Sequence, residues 1–146
     1  MDASSVKNLV EQLIPFAKKT GVVAEELTAT KVKLRLPDDP TNLNPMGILH
    51  AGATFTLAET AAAALCLMAL GSQAMFIGKR VDISFRRPGK GEIAAVAQLT
   101  PVEAQRILDG VKRDGKTEAA ITVDVVDGAG EPVASATVTM SVRRIG

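Results

Sequence analysis

Residues 44–60 read NPMGILHAGATFTLAET, and the apolar segment that begins within this stretch continues to Leu70. From Phe55 to Leu70 the chain contains no proline or glycine and is rich in alanine, so it favours a helix. The side chains are apolar almost all the way round this helix, which predicts that it is buried. Desolvation makes a lone buried charge costly, yet Glu59 lies inside the segment. Glu59 is therefore the first candidate for a functional side chain.

Two threonines lie close to Glu59 on the predicted helix. Thr56 precedes it by three residues and Thr60 follows it directly, so the three polar groups share one short stripe. A carboxylate in such a place can act as a general base or as a nucleophile. The structural alternative is a carboxylate in a solvated groove that only bonds to Thr56 or Thr60. The residues that precede the helix favour the functional interpretation.

The composition narrows the class of protein. A chain of 146 residues is expected to form one domain, residues 1–146, because it can bury one substantial core. A net charge of +1 and an aromatic content of 3%, without Trp or Tyr, argue against nucleic-acid binding. The one cysteine, Cys66, excludes an internal disulfide and indicates no metal cluster. We expect Cys66 to fill apolar space on the buried helix.

The chain is expected to be soluble and cytoplasmic. No apolar core of signal-peptide length precedes Val22. The segment 55–70 is shorter than the ~20 residues that span a bilayer, and it contains Glu59. The hydrophobic content of 47% is nevertheless high for a small monomer. This excess predicts that a partner subunit covers part of the apolar surface.

Alternating apolar residues predict five strands, near residues 31–36, 75–88, 93–99, 119–125 and 134–142. The second strand is predicted to carry its apolar side chains on one face: Met75, Ile77, Val81, Ile83 and Phe85. A first helix is predicted to be capped by Ser4 or Ser5 and to end at Pro15, and a short helix is predicted over 103–113. An antiparallel sheet with one apolar face can wrap around an apolar helix and bury both surfaces. The predicted fold class is therefore α+β, with a five-stranded antiparallel sheet around a long central helix.

The residues at the start of the central helix also resemble a known family. Asn44 is followed six residues later by His50, and Glu59 comes nine residues after the histidine on a helix of small residues. This pattern resembles the hotdog-fold acyl-CoA thioesterases, a superfamily named for 4-hydroxybenzoyl-CoA thioesterase. It is most similar to the phenylacetate-pathway type. The resemblance extends more weakly through the strand order to the C-terminus, and it implies a hotdog fold.

The resemblance implies roles for the residues before the helix. The usual His-Gly-Gly of the family is here His50-Ala51-Gly52. A helix that begins there has free N–H groups at its positive end, so we expect the Ala51 amide to bind the oxyanion of a thioester carbonyl. Gly52 retains the second glycine beside the substrate, and His50 is expected to orient the loop or the carbonyl. Asn44 either caps the loop or positions water.

Substrate-binding residues are also expected after the helix. Members of this superfamily often carry a serine or threonine on the following strand, and Gly78 aligns best with that position. A basic cluster follows and comprises Lys79, Arg80, Arg86, Arg87 and Lys90. Within it, Lys79, Arg86 and Arg87 are candidates for binding the phosphates of coenzyme A. The alternative is an ordinary solvated strand edge.

The expected function is an acyl-CoA thioesterase that hydrolyses a small or medium acyl thioester, with Glu59 as base or nucleophile. Coenzyme A enters as part of the substrate, and no metal or bound cofactor is expected, because the chain has no phosphate-loop or dinucleotide motif. Two alternatives are a non-catalytic acyl-CoA-binding module and a hotdog hydratase or dehydratase that acts on acyl thioesters. The resemblance implies a homodimer or a homotetramer, with no nucleic-acid and no membrane partner.

Overall fold

A computed structural model describes residues 1–146, in which an antiparallel sheet of six strands wraps around one long helix. The helices are α1 (Ala3–Asn8), α2 (Pro15–Lys18), α3 (Ala51–Leu70) and α4 (Pro101–Asp114). The strands are β1 (Val23–Leu27), β2 (Lys31–Leu36), β3 (Ala74–Phe85), β4 (Ile93–Gln98), β5 (Lys116–Asp127) and β6 (Pro132–Arg144). Their order in the sheet is β1-β2-β4-β5-β6-β3, so β1 and β3 form the two edges. This arrangement confirms the α+β class and the predicted hotdog fold.

The sheet has one strand more than the five predicted from the sequence. The additional strand, β1, spans only five residues and pairs antiparallel with β2 at the edge of the sheet. Its register shifts between Ala24 and Glu26, so its side chains do not alternate regularly between buried and exposed positions. Because strand prediction depends on that alternation, β1 left no clear signal.

Helix α3 is the core element, and it begins at Ala51, as expected of a helix that starts near His50-Ala51-Gly52. Eleven of its 20 residues are buried, most of them alanine or leucine. Small side chains such as Ala58 and Ala61, which are fully buried, allow the sheet to approach the helix closely. The segment Ala51–Gln73 is long and apolar enough to cross a membrane by length and composition, but 56% of its most apolar window is buried. The core helix of a soluble protein can be equally long and apolar. Length and composition therefore do not decide whether α3 spans a membrane.

Strand β3 contains a bulge. Gly78 lies opposite Met140 of β6, whereas Arg80 lies opposite Thr139, so Lys79 is the extra residue between them. A bulge of this kind reverses the alternation of side chains along the strand, because one additional residue is inserted into a pattern of period two.

The bulge determines which residues of β3 face the helix. On the inner face, opposite buried residues of β6, lie Phe76, Gly78, Val81, Ile83 and Phe85. Met75 and Ile77 lie instead on the outer face, where they are 57% and 69% exposed. The prediction that they share a face with Val81 was therefore wrong, because it assumed an uninterrupted strand.

The N-terminal helix is interrupted. Helix α1 is followed by a π-helical turn over Leu9–Leu13 and then by α2. The capping residue is Asp2, whose carboxylate accepts the N–H of Ser5 at 2.9 Å, and not Ser4 or Ser5 as predicted. Val6 and Val10 are buried, so this segment covers part of the core as its spacing indicated.

Helix α4 confirms the short helix predicted over 103–113 and extends it by a residue or two at each end. Thr100 and Glu103 form a capping box: the Thr100 hydroxyl accepts the N–H of Glu103 at 3.2 Å, and the Glu103 carboxylate accepts the N–H of Thr100 at 2.8 Å. Gly110 sits inside this helix because it packs on Thr117. A Cβ at Gly110 would lie 3.0 Å from the Thr117 hydroxyl.

We expect Thr100→Ala to lower the free energy of unfolding by about 1 kcal/mol, since it removes the cap of α4. The measurement is chemical denaturation with unchanged m-value. Val102→Ala is the matched control, because Val102 lies on the same helix with its side chain 78% exposed. Equal effects of the two substitutions would show that the capping box does not stabilise the helix.

Candidate active site

His50 forms the junction between the long loop and α3. Its backbone N–H donates to the carbonyl of Asn42 at 2.8 Å, and its Nδ1 accepts the N–H of Gly52 at 2.8 Å. Because Nδ1 is an acceptor, the proton of the neutral ring is on Nε2. His50 is therefore the N-cap of α3, and its exposed ring retains one N–H that can donate elsewhere.

The first N–H of α3 is free. The N–H groups of Ala53 and Thr54 donate to the His50 carbonyl at 2.9 and 3.3 Å, and that of Gly52 donates to the His50 ring. The Ala51 N–H has no hydrogen-bond partner within the chain. It lies at the positive end of a 20-residue helix, on an exposed residue. This geometry suits an oxyanion donor. Alanine in place of the family's first glycine does not change this, because both residues have the same backbone N–H.

Asn44 organises the loop that precedes α3. Its side-chain oxygen accepts the N–H of Met46 at 2.9 Å, and its backbone N–H donates to the Ile48 carbonyl at 2.8 Å. These bonds support the loop-capping interpretation for the oxygen. The side-chain NH₂ of Asn44 has no partner within the chain, so it can still donate to a substrate or to water.

A second asparagine in this loop escaped prediction. Asn42 is 7% exposed, and its side-chain NH₂ donates to the Thr20 carbonyl at 2.8 Å, while its own carbonyl accepts the His50 N–H. It therefore fixes the position of His50 relative to the body of the fold. Nothing in the sequence separated Asn42 from Asn44, since both lie in a loop rich in turn-forming residues.

Glu59 is half-buried and accepts no hydrogen bond from the protein. Burial raises the pKa of its carboxyl above the ordinary value of 4.5. The hydroxyl of Thr56 donates to the Gly52 carbonyl at 2.8 Å instead, and Thr60 is buried and makes no bond to Glu59. The structural alternative requires hydrogen bonds from Thr56 or Thr60 to the Glu59 carboxylate, and the structure has neither bond. Unbonded and partly desolvated, the carboxylate is free to take a proton or to attack.

Strand β3 brings Gly78 next to Glu59. A Cβ built on Gly78 would lie 3.6 Å from Glu59 Oε1, and no other atom of the chain would lie within 4 Å of it. Gly78 is thus adjacent to the candidate catalytic carboxylate, on the inner face of the edge strand and next to the bulge.

The basic cluster is largely engaged with acidic partners. Lys79 pairs with Glu118, and Arg87 binds Asp127 at 2.9 Å and the Pro132 carbonyl at 2.8 Å. Of the three predicted phosphate ligands, only Arg86 has no carboxylate partner, and its guanidinium donates to the Ser135 hydroxyl at 2.9 Å. These cations therefore bind neighbouring side chains on the surface of the sheet, which is consistent with the alternative of an ordinary solvated strand edge.

A cleft lies next to the candidate site, and the one cysteine of the chain is buried. The cleft, of about 670 Å³, lies mainly on the outer face of β3, β5 and β6, and its cations without a carboxylate partner are Lys116 and Arg143. Among the predicted site residues, it is lined by Gly78 and Lys79. Burial raises the pKa of the Cys66 thiol to about 12, so Cys66 cannot supply a thiolate nucleophile at neutral pH.

The family model described as Domain of unknown function (DUF4442) matches residues 3–142. The chain belongs to this family. Protein PA5026 of Pseudomonas aeruginosa, described as a protein of unknown function and probable thioesterase, is 32% identical to this DUF4442 protein. That match covers 99% of this chain and 97% of the other, with a TM-score of 0.92.

More distant structures share the fold. Thioesterase HI1161 of Haemophilus influenzae is 17% identical, with coverage of 99% of this chain and 92% of the other and a TM-score of 0.77. Thioesterase PA1618 of Pseudomonas aeruginosa is 23% identical, with coverage of 99% and 96% and a TM-score of 0.77. No curated protein sequence matches the DUF4442 protein. The matches confirm the resemblance to the hotdog thioesterase superfamily.

We expect Glu59→Gln to stabilise the folded DUF4442 protein at pH 7. Because burial raises the pKa of Glu59, the folded state holds the protonated form more tightly than the unfolded state does. The ionised carboxylate therefore costs stability as the pH rises above 4.5, the ordinary pKa of the group. The melting temperature of Glu59→Gln should exceed that of wild type at pH 7, and the difference should shrink below pH 4.5.

Glu131→Gln is the matched control, since it removes the same charge from an exposed position in the β5–β6 turn. It should leave the melting temperature nearly unchanged. A gain for Glu59→Gln that is as large at low pH as at pH 7 would contradict desolvation as its cause.

Proposed function

We propose that this DUF4442 protein is an acyl-CoA thioesterase that hydrolyses a small or medium acyl thioester to the free acid and coenzyme A. One observation carries the proposal: the helix that holds a partly buried carboxylate without hydrogen bonds, Glu59, also begins with an unpartnered N–H, that of Ala51. A base or nucleophile and an oxyanion donor are the two groups that acyl transfer requires. The thioesterase descriptions of the relatives agree with this proposal.

The chemical step adds one water to the thioester. The acyl carbon forms a bond to oxygen, its bond to sulfur breaks, and the thiolate of coenzyme A leaves and takes up a proton. As a general base, Glu59 takes the proton of the attacking water and returns it to the sulfur. As a nucleophile, its carboxylate attacks the carbonyl and forms an anhydride, which water then opens.

The neighbouring groups serve the carbonyl and the water. The Ala51 N–H stabilises the negative charge that develops on the carbonyl oxygen, and loss of one such donor typically lowers the rate about a hundred- to a thousandfold. In this proposal, the carbonyl or the water is held by the Nε2–H of His50 and the side-chain NH₂ of Asn44, which have no partner within the chain. Gly52 and Thr56 lie in the first two turns of the helix, where the Thr56 hydroxyl donates to the Gly52 carbonyl.

The phosphates of coenzyme A are assigned to basic residues in β3 and directly after it. Arg86 is the strongest candidate, because no carboxylate neutralises its guanidinium. Lys79 and Arg87 would have to exchange Glu118 and Asp127 for phosphate. Exposed ion pairs are worth little, so such an exchange has a small cost.

One chain cannot place both catalytic groups at the same carbonyl. Ala51 and Glu59 are eight residues apart, which at ~1.5 Å per residue separates them by roughly 12 Å along α3. Both groups must come within about 3 Å of the reacting centre. Two antiparallel copies of α3, related by a twofold axis, bring Ala51 of each chain beside Glu59 of the other. The proposed active unit is therefore a homodimer with two composite sites.

The surface around Glu59 supports this dimer. One turn before and after Glu59, the apolar residues Phe55 and Ala63 are only partly covered by the sheet. The inner face of the edge strand β3 is likewise incompletely covered, and Phe85 on that face is 51% exposed. A long exposed edge strand and an apolar stripe are surfaces that proteins normally cover. A second copy of the chain can cover both.

We predict that Glu59→Gln folds and loses most of the hydrolysis of acyl-CoA substrates. The amide is isosteric with the carboxylate but can neither take a proton nor attack, so kcat should fall about a hundred- to ten-thousandfold. The measurement is free-thiol release from a panel of acyl-CoAs, with thermal stabilisation by the same compounds recorded in parallel. Wild-type turnover in the folded variant would remove Glu59 from the mechanism. Stabilisation of the wild type without thiol release would favour a binding module instead.

We also predict that two inactive variants, Glu59→Ala and Ala51→Pro, restore activity when their subunits are mixed. Proline removes the N–H of residue 51 at the first position of the helix, where proline is tolerated. His50 has φ −64° and ψ 134°, a conformation compatible with a following proline. A mixed dimer then has one site with both defects and one intact site. Random re-pairing should restore roughly a quarter of wild-type activity, because half of the dimers are mixed.

The control replaces Ala51→Pro by the double variant Glu59→Ala/Ala51→Pro. Mixed with Glu59→Ala, it cannot form an intact site, so activity should stay absent. Subunit exchange is verified separately with differently tagged chains. If exchange occurs between folded variants and no activity returns in the first mixture, the two groups do not come from different chains.

A further inference from the structure

Gly78 occupies a position where the fold itself does not require glycine. Its φ is not positive, so an L side chain could adopt the same backbone conformation. A Cβ at this position would make an ordinary contact, at 3.6 Å, with Glu59 Oε1 and with no other atom within 4 Å. Glycine inside a strand lowers stability relative to alanine and often marks a bulge or a place where a ligand or another chain approaches closely. The bulge beside Gly78 does not itself require glycine, because φ at Gly78 is not positive.

Other glycines of the protein have structural reasons that Gly78 lacks. Gly115 has φ +75° at the C-terminal end of α4. A Cβ at Gly110 would lie 3.0 Å from Thr117, and one at Gly89 would lie 3.2 Å from Leu49. The space at Gly78, in contrast, is filled by nothing in the chain. It opens onto the carboxylate of Glu59.

Apolar residues neighbour Gly78 and Glu59 along the strand and along the helix. Phe76 lies two residues before Gly78 on the same inner face of β3. On α3, Phe55 and Ala63 lie one turn before and one turn after Glu59. An apolar wall beside one carboxylate suits the acyl part of a thioester better than its phosphates. The part of the acyl chain that lies closest to a carbonyl carbon attacked at Glu59 is the carbon bonded directly to that carbonyl.

We propose that Gly78 is a specificity-determining residue: its missing side chain leaves room beside Glu59 for a substituent on the carbon next to the thioester carbonyl. The inference rests on the proposed thioesterase function and adds to it the class of acyl group that the site accepts. A branched acyl group fits against Gly78, whereas a methyl group at residue 78 occupies the space that the branch requires. The residue acts on the substrate by contact and takes no part in proton transfer.

The test compares two isomeric substrates, butyryl-CoA and isobutyryl-CoA, which differ only in branching at that carbon. Gly78→Ala should lower kcat/KM for isobutyryl-CoA about tenfold more than for butyryl-CoA, the effect expected of one methyl group in a binding pocket. Gly78→Val should enlarge this difference. Gly128→Ala is the matched control: Gly128 lies in the β5–β6 turn, its φ is not positive, and a Cβ there would meet nothing within 4 Å. It should leave both values of kcat/KM unchanged.

An equal change for both isomers, or no change for either, would overturn the assignment of Gly78. Failure of the proposed function has a different signature, since the wild type would then release no thiol from either substrate. In that case the thermal stabilisation of wild type and Gly78→Ala by the two isomers gives the same comparison through binding. Loss of selective stabilisation by isobutyryl-CoA in Gly78→Ala would support the inference, and equal stabilisation of both proteins would refute it. Melting curves without ligand verify that each variant is folded.

Discussion

A helix that is apolar on every side has to be covered on every side, and most of α3 is covered by the sheet together with α1, α2 and α4. The fully buried alanines let the strands approach the helix closely, and the resulting core includes residues of every strand. The exception is the stripe that contains Phe55, Glu59 and Ala63, which the sheet covers only in part. The single carboxylate of the helix lies on that stripe. The position of the candidate site thus follows from the way in which the helix is buried.

On this stripe, the Glu59 carboxylate lowers the stability of the fold but is available for the proposed chemistry. A carboxylate that accepted hydrogen bonds from Thr56 or Thr60 would be better satisfied, but its lone pairs would then be occupied. Instead Thr56 bonds to its own helix, and partial burial raises the pKa of Glu59. A base is most effective when its pKa lies close to the operating pH, so in the proposed mechanism the feature that costs stability also favours proton transfer. Sites of this kind are where a protein departs from the rules that stabilise the rest of the fold.

The sequence predicted the parts of the fold that depend on periodicity. The sequence patterns of the central helix, of the hairpin of β5 and β6 and of helix α4 predicted these elements, and the structure contains all of them. The bulge at Lys79 was not predictable, because one inserted residue leaves apolar side chains on both sides of it and so imitates a regular strand. Strand β1 was missed because its irregular pairing removes the alternation. Ion pairs such as Arg87 with Asp127 join residues 40 positions apart, so their partners became visible only in the fold.

Most of the candidate site could not be predicted from side-chain chemistry. The sequence identifies Glu59 because a carboxylate contrasts with an apolar helix, but the other groups that define the site are not distinctive side chains. The donor at the helix start is a backbone N–H, and any residue except proline at position 51 would supply it. At Gly78 the relevant property is the absence of a side chain. What makes these atoms available is their lack of partners within the chain, which depends on the His50 cap and on the course of β3 past the helix. A site built from backbone and from empty space tolerates changes such as the alanine at position 51, provided that the cap and the strand keep their geometry.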